Sequence, residues 1–242
     1  MATPVSLGTL MLRARRRADL ENTGGANGFL PDDEVIDLVN TSIAAWWDLV
    51  RMTTFMGQIA RSAWPITTTN NVSVYPLAPD TASVISVDAN VNGAILSINA
   101  CPYQEEQRNL FKTMPFIGWS VGALQSLWYQ LQGTNINFLP TPPSQTSFTV
   151  NYVPTAPVLA DPENDYLNSI NGWEEWIVIK TAQKMLIKDG QTDMVAALMP
   201  FLAEERERIL ACAAQMDMNA SEGVHETEAY GSFSGLGWNG NW

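Results

Sequence analysis

Charge is spread along this chain in a way that divides it into parts of different construction. Between residues 62 and 160 the only Asp, Glu, Lys or Arg residues are Asp80, Asp88, Glu105, Glu106, Arg108 and Lys112. The flanks hold nearly all the others, and residues 214–242 carry Asp217, Glu222, Glu226 and Glu228 with no Lys or Arg. The charge-poor centre reads as β structure. Val72 to Pro76 and Ser83 to Asp88 alternate or are β-branched, Asn90 to Gly93 is a turn cluster, and Ala94 to Ile98 is a return strand. Tyr103 to Lys112 reads as a short helix. Ser126 to Gln132 and Asn135 to Leu139 flank Gly133-Thr134 as a hairpin. Pro140, Pro142 and Pro143 interrupt pairing before a last strand, Ser147 to Val153.

The flanks read as helical. Leu7 to Leu20 contains Arg13, Arg15, Arg16 and Arg17, all good helix formers. After a Gly/Asn loop at residues 22–28, Pro31-Asp32-Asp33-Glu34 opens a second helix, since Pro suits the first turn and acids complement its dipole. Ile36, Val39, Ile43, Trp46 and Val50 then mark one apolar stripe, and the helix is expected to run to about Ala63. Trp173-Glu174-Glu175 starts a third helix, ending near Asp189-Gly190 with Lys184 and Lys188 at its negative end. A fourth runs from about Thr192 to Met216 with Val195, Leu198, Leu202, Ile209, Cys212 and Met216 on one stripe, and Pro200 is expected to break or kink it. From about Asn219 onward there is no period. That stretch is rich in Gly, Asn and Ser and, alone in water, is expected to be disordered.

The fold expected is therefore α+β: N- and C-terminal helices (1–63 and 158–217) closing as a bundle, an inserted small antiparallel β-sandwich or barrel-like unit (64–157), and an extended C-terminal arm (218–242). At 242 residues, close to 70% of the chain's surface can be buried without disulfides or metals.

Composition then excludes several functions. With 25 acidic and 13 basic residues the formal charge is −12, against a binder that works by neutralising phosphates. One histidine, His225, and two cysteines, Cys101 and Cys212, leave little for zinc sites or histidine-based triads. His225 reads as solvated between Glu222 and Glu226, and the cysteines as free buried thiols. Glu105-Glu106 and Glu174-Glu175 are adjacent, so on a helix each pair points about 100° apart and does not converge on one atom. Trp46, Trp47, Trp173 and Trp176 read as core. No phosphate-loop, dinucleotide or CxxC motif is present, no apolar run is long enough to span a membrane, and the N-terminus shows no secretory pattern. No catalytic, cofactor or metal residues are assigned.

Nine tryptophans in so sparsely charged a chain point to assembly, since Trp is favoured at interface hot spots. Tyr230, Phe233, Leu236, Trp238 and Trp242 in the tail are candidate partner-binding residues, toward a neighbouring subunit or another protein. Arg13, Arg16 and Arg17 share a helical face. They are paired within the chain or solvated, or they form inter-subunit salt bridges with an acidic flank.

An order of features carries a resemblance. Phe29-Leu30-Pro31 leads into Val35-Ile36-Asp37-Leu38-Val39-Asn40 and Trp46-Trp47. Pro102-Tyr103-Gln104-Glu105-Glu106-Gln107-Arg108-Asn109 precedes Trp128-Tyr129-Gln130, Ile136-Asn137-Phe138-Leu139-Pro140 and Tyr152-Val153-Pro154. Asn171-Gly172-Trp173-Glu174-Glu175-Trp176-Ile177-Val178 follows, with Arg206 to Ala213 downstream. Over about residues 7–217 the chain resembles the head-to-tail adaptor (connector) proteins of tailed bacteriophages. The resemblance implies a structural virion protein assembled in the host cytoplasm and forming a ring of twelve subunits. The ring would join the portal protein to a downstream tail or nozzle protein and line a channel that double-stranded DNA passes, during ejection, without specific binding. A tail-side neck, stopper or tail-terminator protein is the alternative, and a non-viral β-domain binding module or enzyme the second.

Overall fold

A computed structural model describes residues 2–21, 29–51, 60–91, 94–101, 127–170 and 172–219. The described elements are β1 (Ala2–Ser6), α1 (Leu7–Arg17), α2 (Asp32–Arg51), β2 (Ser62–Thr67), β3 (Val74–Pro76), β4 (Thr81–Val91), β5 (Ala94–Ala100), β6 (Trp128–Gln132), β7 (Asn135–Leu139), β8 (Ser147–Pro154), β9 (Tyr166–Ile170), α3 (Glu174–Asp189) and α4 (Thr192–Asn219). The protein is α+β, with helices on both sides of a mostly antiparallel sheet in chain order.

Each helix forms where the spacing of apolar residues allows a buried face. In α1, Leu7, Leu10, Met11 and Ala14 are buried, and the Ser6 hydroxyl caps the helix by accepting the Thr9 N–H at 3.2 Å. In α2, Val39, Ile43, Trp46 and Val50 of the expected stripe are buried, together with Val35 and Leu49, and Ile36 is half-buried. Helix α3 is buried over much of its circumference because it packs against α1, α2 and α4 at once. It ends at Gly190, whose φ of 78° is left-handed, and the Gly190 and Gln191 N–H groups close on Ile187 O and Leu186 O. Helix α4 continues through Pro200. The acceptor that this proline leaves without a helical donor, the Ala196 carbonyl, lies on the exposed face, where water can satisfy it. The four described helices, with Val153, Leu159 and Leu167, share one core.

The larger sheet has the order β2-β8-β4-β5-β6-β7-β3, antiparallel except for β5 against β6. Its two outer strands, β2 and β3, are consecutive in the chain and joined only by residues 68–73. A flat sheet of seven strands would set those edges roughly 29 Å apart. The link can span no more than about 25 Å fully stretched, and it is not stretched: Tyr75 Oη donates to Val72 O and Thr69 N–H bonds back to Tyr75 Oη. The sheet must therefore curl. The Phe138 and Phe148 rings stack at 4.3 Å although β7 and β8 are four positions apart in the sheet. The interior so enclosed is a second core, centred on Val87, Ile136, Phe138, Phe148 and Val150.

Three expectations need correction. The second helix does not reach Ala63: Ser62 and Ala63 begin β2, paired with Tyr152 and Asn151 of β8. The flanks are not wholly helical, because β9 pairs antiparallel with β1, and the sequence announced neither strand. Cys101 and Cys212 are in no disulfide, and they are half-buried rather than buried. The short helix expected at Tyr103 to Lys112 lies outside the described residues.

The loop before β9 locks the start of α1. The Leu7 and Gly8 N–H groups donate to Asp165 O and Pro162 O, both at 3.0 Å. A Cβ on Gly8 would stand 3.0 Å from that same Pro162 oxygen. Gly8→Ala is therefore expected to destabilise the fold by about 1–2 kcal/mol despite alanine's better helix propensity, measured as a shift of the urea midpoint at unchanged m-value. A midpoint that rises would show that the loop yields freely.

Candidate functional site

Three features stand out on the described surface: an ionic cluster between α1 and α3, a largely apolar groove where the helices meet the β unit, and a lysine row on α3.

The cluster begins with local helix geometry. Arg13 and Arg17, one turn apart on α1, face the first turn of α3. Arg13 reaches Glu174 Oε1 at 3.3 Å and Glu175 Oε2 at 2.6 Å, and Arg17 pairs with Glu175. The two adjacent acids thus diverge, as their helical spacing requires, yet meet one arginine from the side. Arg16 turns away to Glu21 at 3.3 Å and is 61% exposed. Arg13, Arg16, Arg17, Glu175 and Val178 border a shallow concavity of about 300 Å³. Ser169, at the end of β9, stands in for a helix cap: its hydroxyl accepts the Glu174 N–H at 3.1 Å and donates to Glu174 Oε2 at 2.5 Å. Nothing in the local sequence marks Ser169, because the cap comes from across the β9–α3 turn.

Partial burial raises the pKa of Glu174, but the hydrogen bonds from Ser169 and its own backbone N–H, together with Arg13, outweigh it and hold the carboxyl below its ordinary 4.5. A depressed carboxyl pKa adds stability that is complete above the unfolded value and is lost as pH falls through the folded one. Stability is therefore expected to fall as pH drops below about 4.5, and Glu174→Gln is expected to flatten that fall, checked by urea denaturation at pH 6 and pH 3.5. An unchanged pH dependence would remove Glu174 from the account.

The groove has a volume of about 500 Å³ and is walled by Trp46, Trp47 and Val50 of α2, Pro154 at the end of β8, Pro157 beyond it, and Tyr166 of β9. Trp47 Nε1 donates to Pro154 O at 2.9 Å, which ties α2 to the end of the β unit. The neighbouring clamp is Asn40, whose amide both donates to Leu159 O at 2.8 Å and accepts from Leu159 N at 2.9 Å. Of the four helical tryptophans, Trp46, Trp173 and Trp176 are buried as expected, and Trp47 is the half-buried one that opens onto the groove.

A third feature is a lysine row on α3. Lys188 pairs with Glu34 and lies 5.4 Å over the Phe29 ring. Lys184 bonds Thr41 Oγ1 at 2.7 Å, and burial and Lys180 push its pKa down. Apolar side chains also face outward, including Ile187, Met199 and Phe201 on α3 and α4 and Ile95 on β5. Tyr230, Phe233, Leu236, Trp238, Trp242, His225, Glu105 and Glu106 lie outside the described residues. Among the described residues no group of three or more His, Cys, Asp or Glu is placed to hold a metal ion, and no helix is long and apolar enough to cross a membrane.

The described surface thus combines outward-facing apolar side chains with a tryptophan-walled groove, features that suit contact with other proteins. Comparison with known families agrees. The model described as SU10 adaptor protein matches residues 5–228, and the chain belongs to that family of phage head-to-tail adaptors. It is accordingly a structural component of a virion. No curated protein matches it at a significant level.

Proposed function

We propose that this chain forms a closed ring, of twelve subunits, that joins the portal to the next tail component and lines the channel through which the genome leaves. The observation that carries the reading is the family match over residues 5–228. The helices would act as a bundle packing subunit to subunit, and the curled sheet as a sandwich-like unit facing the tail or the ring exterior. The formal charge of −12 suits a channel wall, because carboxylates repel phosphates and DNA slides past without the counterion release that would hold it. The ring would assemble in the host cytoplasm, and the aromatic tail, Tyr230 to Trp242, would be its docking arm. Mass measurement of the purified chain alone and with purified portal tests this. A discrete ring on the portal is expected, and a chain that stays monomeric and never joins a portal would sink the reading. Rings that form but ignore the portal would favour a tail-side neck, stopper or terminator.

The arginine face is proposed to extend across the subunit boundary. Arg13 and Arg17 are engaged with α3, whereas among the described residues Arg16 pairs with the exposed Glu21. Exposed pairs contribute about 0–1 kcal/mol. Arg16→Ala is therefore expected to leave monomer stability within about 0.5 kcal/mol while lowering the yield of rings. An unchanged yield would confine these arginines to their own chain.

A further inference from the structure

We infer that the groove between α2 and β9 is the seat of the chain's own C-terminal aromatic segment, residues 230–242, while the chain is free in solution. This rests on the reading of that segment as a docking arm, and gives the arm a resting place before it docks.

The groove's chemistry fits such an occupant. Its walls are mainly indole, phenol and proline surfaces, supplied by Trp46, Trp47, Tyr166, Pro154 and Pro157, with Asp80 and Thr155 as polar groups among them. A volume of about 500 Å³ falls within the range of about 300–1,000 Å³ that accepts compact organic groups, enough for one or two aromatic rings but not for a folded element. The segment offers aromatics one at a time between small residues: Tyr230, Phe233 and Trp238 are set among Gly231, Ser232, Ser234, Gly235, Gly237 and Asn239. Such spacing lets a single ring enter a pocket while the backbone stays extended along the rim. Asn168, on the outer face of β9 at that rim, presents a side-chain amide able to bond an extended backbone in both directions.

The place where α4 ends brings the segment to the groove. Arg208 Nη2 donates to Gly172 O at 3.1 Å, so α4 passes the start of α3 at that point. From there it continues to Asn219, roughly 16 Å further. Helix α2 runs antiparallel to α3, as Lys188–Glu34 and Lys184–Thr41 show, so the end of α2 that walls the groove lies at this same end of the molecule. Asn168 is only four residues from Gly172, within about 14 Å. The return path from Asn219 to the groove is then roughly 30 Å, and the fourteen residues to Phe233 reach about 46–50 Å extended. A tether of this length gives an effective concentration in the millimolar range, far above that of other copies in a dilute solution. The free chain therefore holds its own arm, and a second copy or a portal competes for it.

Cross-linking of the full chain tests this. In a background with Cys101→Ser and Cys212→Ser, Asn168→Cys is combined in one chain with Trp238→Cys, and separately with Phe233→Cys. Under mild oxidation at dilute concentration, an intramolecular disulfide is expected in at least one pair, seen as a monomer of altered mobility on a non-reducing gel. The same tail cysteines combined with Ile95→Cys, on the exposed face of the β unit, are expected to close at least tenfold more slowly. Adding Thr155→Arg, which fills the groove rim, is expected to slow the Asn168 pairs to that control rate. Disulfide-linked dimers from a mixture of single-cysteine chains, without the intramolecular product, would mean that the arm is exchanged between copies and would overturn the proposal. Equal rates for Asn168 and Ile95 would overturn it as well. Mass measurement of the same samples shows separately whether rings form, so the adaptor reading stands or falls on its own result.

Discussion

Phe138→Ala is expected to lower the stability of the β unit by about 3–5 kcal/mol, enough to leave it unfolded at mesophilic temperatures if the unit has an ordinary margin. The ring is fully buried. It stacks on Phe148 at 4.3 Å and meets Tyr75 at 5.9 Å, and these three side chains come from β7, β8 and β3. The contacts it makes are what hold the curled sheet closed over its own interior. Once it is removed, no neighbour can move in without breaking a ladder: Phe138 N donates to Ser73 O at 2.8 Å, and Tyr129 is paired opposite it on β6. The loss is therefore a transfer term plus a persistent cavity. The helical core holds only Val153 of the β8 strand, so the helices are expected to keep most of their far-UV signal while the β unit loosens. Two separated urea transitions in the variant are the measurement. Ile95→Ala, at a position 73% exposed, is the control and is expected to change little. A single transition moved by less than about 1 kcal/mol would mean that the sheet is held closed by something other than this stack.

How far such contacts were legible in the residues depended on how local their cause is. Helix α2 could be read because Val39, Ile43, Trp46 and Val50 repeat at helical steps and one face is buried along its length. The β6–β7 hairpin could be read because Gly133, at φ 59°, supplies the left-handed turn residue that a two-residue loop needs. Strand β2 was missed because Ser62 to Thr67 has no decisive period of its own. It is a strand because β8, some eighty residues on, offers it a ladder, and Pro65 shows that it lies at a sheet edge. The β1–β9 pair failed for the same reason at a longer range. At the candidate sites, Arg13 and Arg17 were visible as a helical face, but their partners Glu174 and Glu175 were read only as a helix start, and nothing local could bring the two together. The groove was not legible at all. It depends on Trp47 standing one step, about 100°, around the helix from the buried Trp46 and meeting Pro154 and Tyr166 from distant parts of the chain.

A chain ending at Asn219 is expected to keep its fold and to lose portal capture by roughly 10²–10⁴-fold. The first half follows from the described cores, which are built without the tail: the helical core extends from Leu7 to Ala213, and the β core from Ile66 to Val150. Melting and urea midpoints are expected to stay within about 1 kcal/mol of the full chain. The second half follows from what is removed. Tyr230, Phe233, Leu236, Trp238 and Trp242 are the large apolar residues of the segment. Each aromatic that docks can hide about 150–250 Å², an upper bound of about 4–6 kcal/mol. Ordering some twenty residues opposes this by about 1–2 kcal/mol each, so a single arm binds weakly. In the proposed ring every arm would be presented to the portal at once, and weak contacts would multiply. The effect of truncation should therefore be steep for assembled rings and slight for a lone peptide of residues 220–242, which is expected to bind the portal only at high micromolar concentration or above. Capture by an immobilised portal ring, measured for both chains beside that peptide, separates the cases. If the truncated chain is captured as well as the full one, the tail is not the docking arm, and attention returns to the outward apolar face of α3 and α4 around Ile187, Met199 and Phe201.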